Sequence, residues 1–411
     1  MEVYMNVFFK AYCRVFQFVM KCAMPLLRMR EPERVKGLDR LAELIEKQGK
    51  KSVLIVTDDV LHNKLRLIDG LKEDLTNRGV KVSVYDKTVP NPTIDNINEA
   101  YEVYKENDCE GIVAFGGGSP MDCAKGVACR VANPKKTIPQ MKGVLKVGHG
   151  KRFPDVYAVP TTSGTGSEAT LAAVISNSET KEKYPIEDPV IIPRYAVLDP
   201  NLTVGLPPHI TSTTGMDALT HAVESYIGSE NTDLTVDRAV RATKLIFTWL
   251  EKAYNDGHDL KARAYMQDAS YMAGVAFTRA YVGHVHAMAH ALGGFYHTPH
   301  GLANAVILPY ILDFYGEKAA VKLAELADCV GIKGASVSEK AKKFVQEIKD
   351  MNARMNIPAY IDGIKEEDIP VMAERAYKEA NPLYPVPVIM SKQDFIDMYH
   401  KIMKPVENAA E

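Results

Sequence analysis

The chain has 411 residues, 46% of them apolar and 25% charged, with 50 Lys and Arg against 52 Asp and Glu for a formal net charge of −2. Such a balance does not favour a polyanionic partner, and no long Lys/Arg run supplies the basic patch of a nucleic-acid-binding protein; the length exceeds one ordinary core of about 100–200 residues, so two domains are expected. The six cysteines (Cys13, Cys22, Cys109, Cys123, Cys129 and Cys329) include no Cys-x-x-Cys pair; they are too sparse for a disulfide scaffold and fit reduced thiols in a cytoplasmic protein.

Residues 1–30 are expected to form an amphipathic N-terminal helix. Val7–Leu27 is rich in Phe, Val and Met, yet Lys10, Arg14, Gln17 and Lys21 fall four, three and four residues apart, on one helical stripe. A spanning helix needs about 20 mostly uncharged residues. A signal peptide carries its charge ahead of the apolar run and ends at a small-residue cleavage site. The expected role is therefore packing on the protein body or at a subunit interface. A membrane partner is not expected, and surface association is the alternative.

Residues 31–204 read as an α/β domain. Ser52–Thr57, Val80–Tyr85, Gly111–Phe115, Val156–Pro160 and Tyr195–Leu198 are strand-like, and Lys64–Arg78, Thr93–Asn107 and Met121–Val131 are helical. This alternation predicts a parallel sheet covered on both faces. Residues 205–411 have a different texture. Strand-like runs nearly vanish, and Asp237–Tyr254, Leu260–Phe277, Glu317–Ala327 and Val337–Met355 are long periodic segments of a helical bundle.

Two stretches in the first half suit a nucleotide. Gly116-Gly117-Gly118-Ser119 follows a strand and opens a helix, with Asp122 in its first turn. Glycines admit a phosphate close to the backbone, and the helix start offers free N–H groups. The spacing is not Gly-x-Gly-x-x-Gly, and such a turn can also be purely structural. Pro160–Glu168 (PTTSGTGSE) also follows a strand and is dense in hydroxyls, although Ser and Thr also serve as helix caps. Asp58 ends the first predicted strand. A carboxylate there favours NAD over NADP by binding a ribose and repelling a 2′-phosphate, or it caps a helix.

The second half carries ligand chemistry. Asp217 and His221 are four apart, hence on one helical face. Five of the eleven histidines, His284, His286, His290, His297 and His300, crowd one short segment. One carboxylate with up to three imidazoles suits a divalent first-row metal such as iron(II) or zinc, acting as a Lewis acid on an alcohol oxygen.

Taken together, GGGSPMDCAK, PTTSGTGSE, GMDALTHAVESY and HAMAHALGGFYHTPHG closely resemble the iron-containing (type III) alcohol dehydrogenase family from about Lys51 onward. The resemblance implies a dehydroquinate synthase-like fold: an α/β nucleotide-binding domain with a Rossmann-like parallel sheet, followed by an all-α helical-bundle domain. It implies Asp217, His221, His286 and His300 as metal ligands for Fe2+ (or Zn2+), with His290 close by as a non-ligating histidine. On the cofactor side it implies Asp58, Gly117, Gly118, Ser119, Thr161, Thr162, Thr165 and Lys183, with Asp122 beside them, and NAD rather than NADP. Ala172 stands where some members carry a cofactor-touching Asn. His284 and His297 have no ligand role in the pattern, though His284 adjoins the metal motif.

The expected activity is oxidation of a small alcohol, or reduction of its aldehyde or ketone, by direct hydride transfer. His290 is expected to relay the hydroxyl proton, and Phe277 to line either the substrate pocket or the core. A homodimer or higher homo-oligomer is implied. The alternatives are a polyol dehydrogenase or a dehydroquinate synthase-like lyase, a metal-free reductase of the same fold, and a non-catalytic scaffold or membrane-surface protein using the N-terminal helix.

Overall fold

The computed structural model describes residues 7–24, 27, 29–148, 153–179 and 182–405. They group into two compact units, one of Leu27–Leu206 with Gly257–Thr278, the other of Met1–Leu26, Pro207–Asp256 and Arg279–Glu411.

The first unit is built on strands β1 (Glu33–Lys36), β2 (Ser52–Val56), β3 (Lys81–Tyr85), β4 (Gly111–Gly116), β6 (Asp155–Pro160) and β9 (Tyr195–Leu198), all parallel, in the order β1-β9-β6-β4-β2-β3. Every residue of β2 and β4 is buried, as a sheet covered on both faces requires. Alternation divides the strands between two apolar layers. Leu54, Val56, Ile112 and Ala114 pack with α4 (Ile94–Glu106) and α5 (Gly118–Ala132). Val53, Ile55, Val113 and Phe115 pack with α2 (Leu38–Lys47) and α3 (Asp69–Asn77). From β2 the chain runs outward to β3, then returns past β2 to β4. Their carboxyl ends thus flank the topological switch point, where open α/β sheets bind ligands. β5 (Gly143–Val144), β8 (Glu182–Glu187) and β7 (Ala172–Asn177) form a separate three-stranded sheet.

Several elements depart from the sequence expectation. The helix expected over Lys64–Arg78 starts only at Asp69, because Val60–Lys64 forms a π-turn and Arg66 has φ 54°. The β7–β8 hairpin was hidden by Pro185, which breaks the propensity pattern yet pairs opposite Val174.

Helix α8 (Leu260–Ala280) lies in the helical half of the sequence, but its residues up to Thr278 group with the α/β unit. Tyr271 donates to the Pro32 carbonyl (2.8 Å) and Gln267 to the Asp199 carbonyl (3.0 Å). Its backbone meets the loop after β6 through a pair of glycines. A Cβ on Gly166 (φ 58°) would lie 2.7 Å from the Ser270 carbonyl oxygen, and one on Gly274 2.6 Å from that of Gly166.

The second unit contains α6 (Pro208–Ile227), α7 (Asp233–Asn255), α9 (His284–Tyr296), α10 (His300–Tyr315), α11 (Ala320–Cys329), α12 (Val337–Arg354), α13 (Ile369–Ala380) and α14 (Lys392–Ile402), together with α1 (Val7–Ala23). Fifteen of the 20 residues of α6 are buried, which makes it the central helix, and Asp217, His221 and Glu224 are among them. α1 packs through the buried Cys13 and Gln17, with Phe9, Phe16 and Met20 half-buried beside them. Gln17 Nε2 donates to the Pro382 and Tyr384 carbonyls (3.1 and 2.7 Å), Arg14 to those of Val386 and Pro387 (2.8 and 3.1 Å), and Lys21 to that of Ser229 (2.7 Å).

The Gly166–Gly274 approach yields a stability prediction. Both neighbours of a new methyl group are backbone and cannot swing away, so Gly274→Ala is expected to lower the melting temperature by roughly 5 °C despite alanine's better helix propensity. An unchanged melting temperature would refute the close packing.

Candidate metal centre and nucleotide cradle

Three helices of the second unit deliver the four expected ligands to one place. Asp217 and His221 lie one turn apart on α6, His286 sits in the first turn of α9, and His300 opens α10. One potential ligand atom from each lies within 4.8 Å of all the others. His300 Nε2 is 3.6 Å and His286 Nε2 4.0 Å from Asp217 Oδ1. An ion bound about 2.1 Å from each donor spans donors up to about 4.2 Å apart, so small side-chain movements close this set on a metal.

Local packing explains why the helices meet here. Gly301 lets the start of α10 approach α6, since a Cβ there would lie 2.5 Å from the Thr213 carbonyl oxygen. Glu224, two turns after Asp217 on α6, gathers the start of α9. Its carboxylate accepts from the backbone N–H of Gly283 and of Val285, both at 2.8 Å, and contacts His286 Nδ1 at 2.6 Å. That contact turns His286 Nε2 toward Asp217. Burial pushes the Glu224 carboxyl up to about 8, against the pull of those N–H groups. Burial holds His286 well below the usual imidazole range, reinforced by His221, His300 and His290. A neutral imidazole is the form that ligates.

Asn304, one turn into α10, supplies a test of fit. Its Nδ2 lies 2.6 Å from Asp217 Oδ1, 3.2 Å from His286 Nε2 and 3.1 Å from His300 Nε2. Acceptor atoms from three helices therefore converge on one electropositive atom, the demand that a metal ion meets. Asn304 Oδ1 is buried without a hydrogen-bond partner.

His290 stands beside this group, its ring stacked on His300 with centroids 5.2 Å apart. Its Nδ1 contacts Glu379 Oε1 at 2.6 Å, and the Tyr384 hydroxyl donates to the same oxygen at 2.8 Å. His284 lies outside the cluster. It is fully buried, accepts from or donates to the Tyr315 hydroxyl (2.9 Å) and packs edge-on to Phe395, and burial pushes its pKa down to about 3. His297 is the exposed residue that ends α9, at φ 55°.

In the first unit, the turn from β4 to α5 places Gly117 and Gly118 against Thr162 and Thr165. A Cβ on Gly118 would come within 3.1 Å of Thr165 Cγ2. The Thr161 N–H donates to the Gly116 carbonyl at 3.0 Å. Ser119 Oγ accepts from the Asn91 N–H (3.1 Å), and Asn91 Oδ1 accepts from Lys183 Nζ (2.7 Å), so Asn91 links two expected cofactor residues. Asp122 is engaged within the protein, one oxygen accepting from the Ser167 hydroxyl and the other from the Val174 N–H, each at 3.0 Å. Asp58 Oδ1 accepts from the Leu61 N–H at 2.9 Å, so it does act as a cap.

Lys125 ties the two loops together. It is wholly buried, and its ammonium donates to Ser167 Oγ, Thr170 Oγ1 and the carbonyls of Thr170 and Ala172 at 2.8–3.1 Å. Burial pulls its pKa down to about 8, opposed by Asp122 and Glu168. Ala172 thus takes part through its carbonyl, whatever its side chain lacks.

Known proteins match this arrangement along nearly the whole chain. The family model described as iron-containing alcohol dehydrogenase matches residues 34–200, and the model of the C-terminal domain of the same family matches 211–403. The chain belongs to the iron-containing alcohol dehydrogenase family. Members of that family are alcohol oxidoreductases, and this chain is one. It is 39% identical to alcohol dehydrogenase 4 of Saccharomyces cerevisiae over 89% of this chain and 94% of that protein. It is 37% identical to an NAD-dependent methanol dehydrogenase of Bacillus methanolicus, over 80% of this chain and 87% of that one. A crystal structure of 1,3-propanediol oxidoreductase superposes with a TM-score of 0.87 at 35% identity, covering 92% of this chain and all of that one.

Sequence reasoning missed Glu224, Asn304, Glu379, Tyr384, Asn91 and Lys125. Glu224 had a signal, since it continues the Asp217–His221 face of α6 by three residues. Glu379 and Tyr384 had none, being about ninety residues from the histidine they serve.

Two predictions follow from these contacts. Glu224→Ala removes the group that orients His286 and is expected to weaken iron retention roughly 10–100-fold, measured as metal content after dialysis against a chelator series; full retention would refute the orienting role. Lys125→Met leaves two carbonyls and two hydroxyls without their common donor. It is expected to raise the Kd for NAD about tenfold or more while metal content stays unchanged, as titration calorimetry would show, and an unaltered Kd would detach Lys125 from the cradle.

Proposed function

We propose that the chain is an NAD-dependent, divalent-metal-dependent alcohol dehydrogenase and aldehyde reductase acting on small alcohols. The observation that carries this proposal is the convergence of Asp217, His221, His286 and His300 on one point beside His290. The donor set and its spacing fit Fe2+, with Zn2+ the other candidate. When bound, the metal supplies Lewis acidity toward the alcohol or carbonyl oxygen, and the nicotinamide accepts or donates hydride.

The protein's own groups do the rest. Glu224 holds His286 in the tautomer that presents Nε2 to an ion. Glu379 holds Nδ1 of His290, which frees Nε2 to take the hydroxyl proton of an alcohol or return it to a carbonyl oxygen; Tyr384 steadies Glu379. In the other unit Gly117, Gly118 and Ser119 receive the pyrophosphate at the start of α5. Thr161, Thr162, Thr165 and Lys183 contact the nucleotide, and Asp122 acts by holding Ser167 in place. Asp58, at the carboxyl end of β2, meets an adenosine ribose and disfavours a 2′-phosphate, which selects NAD. Phe277, half-buried on α8, is the residue we assign to the substrate pocket.

None of the six cysteines is disulfide-bonded, which supports the reading of a cytoplasmic enzyme. No described helix is long and apolar enough to cross a membrane.

The deciding experiment is NADH oxidation against a panel of short aldehydes, with metal-stripped protein reconstituted anaerobically with iron(II) or zinc. Metal-dependent turnover is expected. No turnover with either ion, despite confirmed NAD and metal binding, would overturn the assignment. In the same assay His290→Ala is expected to lower turnover on the order of 100-fold while metal content is retained; unchanged turnover would remove the proton relay.

A further inference from the structure

Helix α1 is apolar on two sides, one packed inward through Phe9, Phe16 and Met20 beside Cys13 and Gln17, the other turned to solvent. Phe8, Tyr12, Val15, Phe18 and Val19 are between 53 and 82% exposed. At 100° per residue they fall on one side of the helix, opposite the buried Cys13 and Gln17. The carbonyl contacts of Arg14, Gln17 and Lys21 lock this orientation, so the outward apolar face is a built feature and not the chance exposure of a frayed end. Such a contiguous patch on a folded surface marks an interaction site. It also lies outside the catalytic fold, because the family models begin at residue 34.

We infer that this face is a docking surface for an anionic lipid bilayer, with α1 lying in the plane of the interface. Charge favours that occupant. α1 holds three basic residues, Lys10, Arg14 and Lys21, in a chain whose net charge is −2. α1 itself contains no Asp or Glu, and Lys10, Arg14 and Lys21 border the apolar face on one flank. Carbonyl oxygens satisfy the hydrogen bonds of Arg14 and Lys21 without cancelling their charge. An aromatic and aliphatic face flanked by cations is the composition of helices that rest on lipid headgroups. A second copy of α1 is a poorer occupant. A 17-residue helix is about 25 Å long and offers a strip about 10 Å wide. That is well short of the roughly 800 Å² per partner of a stable interface, and pairing would bring two cationic flanks together.

The test is flotation of the full-length protein with phosphatidylcholine vesicles made with and without phosphatidylglycerol. The wild type is expected to float with the anionic vesicles and to lose that binding at high salt. Val15→Glu/Val19→Glu is expected to cut the bound fraction about tenfold or more, with an unchanged melting temperature showing that the fold is intact; Val15→Ser/Val19→Ser serves if the charged variant unfolds. Failure of the wild type to float on either vesicle, or flotation that the substitutions leave unaltered, would overturn the inference. A wild-type oligomer that dissociates in the double variant by sedimentation velocity, without vesicle binding, would assign the face to a second copy instead.

Discussion

The metal-centre unit depends on one buried carboxylate. Glu224 is a carboxyl group removed from water, a costly arrangement unless every oxygen is engaged. The unit engages them with the first free N–H groups of α9 and with the imidazole of His286. The same contacts cap a helix, set the register of α9 against α6 and orient the imidazole of His286. The raised pKa of Glu224 is the sign of that cost. An apolar residue at position 224 would leave α9 free to slide or turn, and a one-residue turn of 100° carries His286 off the centre.

The nucleotide unit solves its positioning problem with small residues and one buried cation. Gly166 and Gly274 bring two backbones closer than any side chain allows. Lys125 spends its three protons on the loop that carries the hydroxyl groups. The hydroxyls of that loop can therefore meet a polar ligand with little reordering, which is the physical meaning of preorganisation. The close approach of Gly166 and Gly274, with the bonds of Gln267 and Tyr271, holds α8 to the α/β unit although it follows α6 and α7 in the chain.

Relatives matching the chain at similar identity carry the names of a methanol dehydrogenase and an alcohol dehydrogenase, and a 1,3-propanediol oxidoreductase shares its fold. The ligand set and the glycine turns thus define a reaction class. Choice of alcohol rests on pocket shape, which depends on side chains that no motif contains.

By itself the sequence determined whatever depends on short-range periodicity. The buried runs of β2 and β4 declared a parallel sheet, and the four-residue spacing of Asp217 and His221 put two candidate ligands on one helical face. The glycine turn after β4 was legible because its strand–turn–helix context is local. Among five neighbouring histidines, spacing alone could not choose. The family resemblance named His286 and His300, and the structure brings both to Asp217 while His284 turns to Tyr315. Tertiary structure decided the partners, because Glu379, Tyr384 and Asn304 acquire their roles only when distant helices pack. It also decided the orientation of α1. The stripe of Lys10, Arg14, Gln17 and Lys21 revealed an amphipathic helix, but periodicity cannot say which face turns inward; here Gln17 and Arg14 meet backbone carbonyls of residues 382–387, Phe9, Phe16 and Met20 turn inward beside Cys13, and a second apolar face from Phe8 to Val19 is left outward.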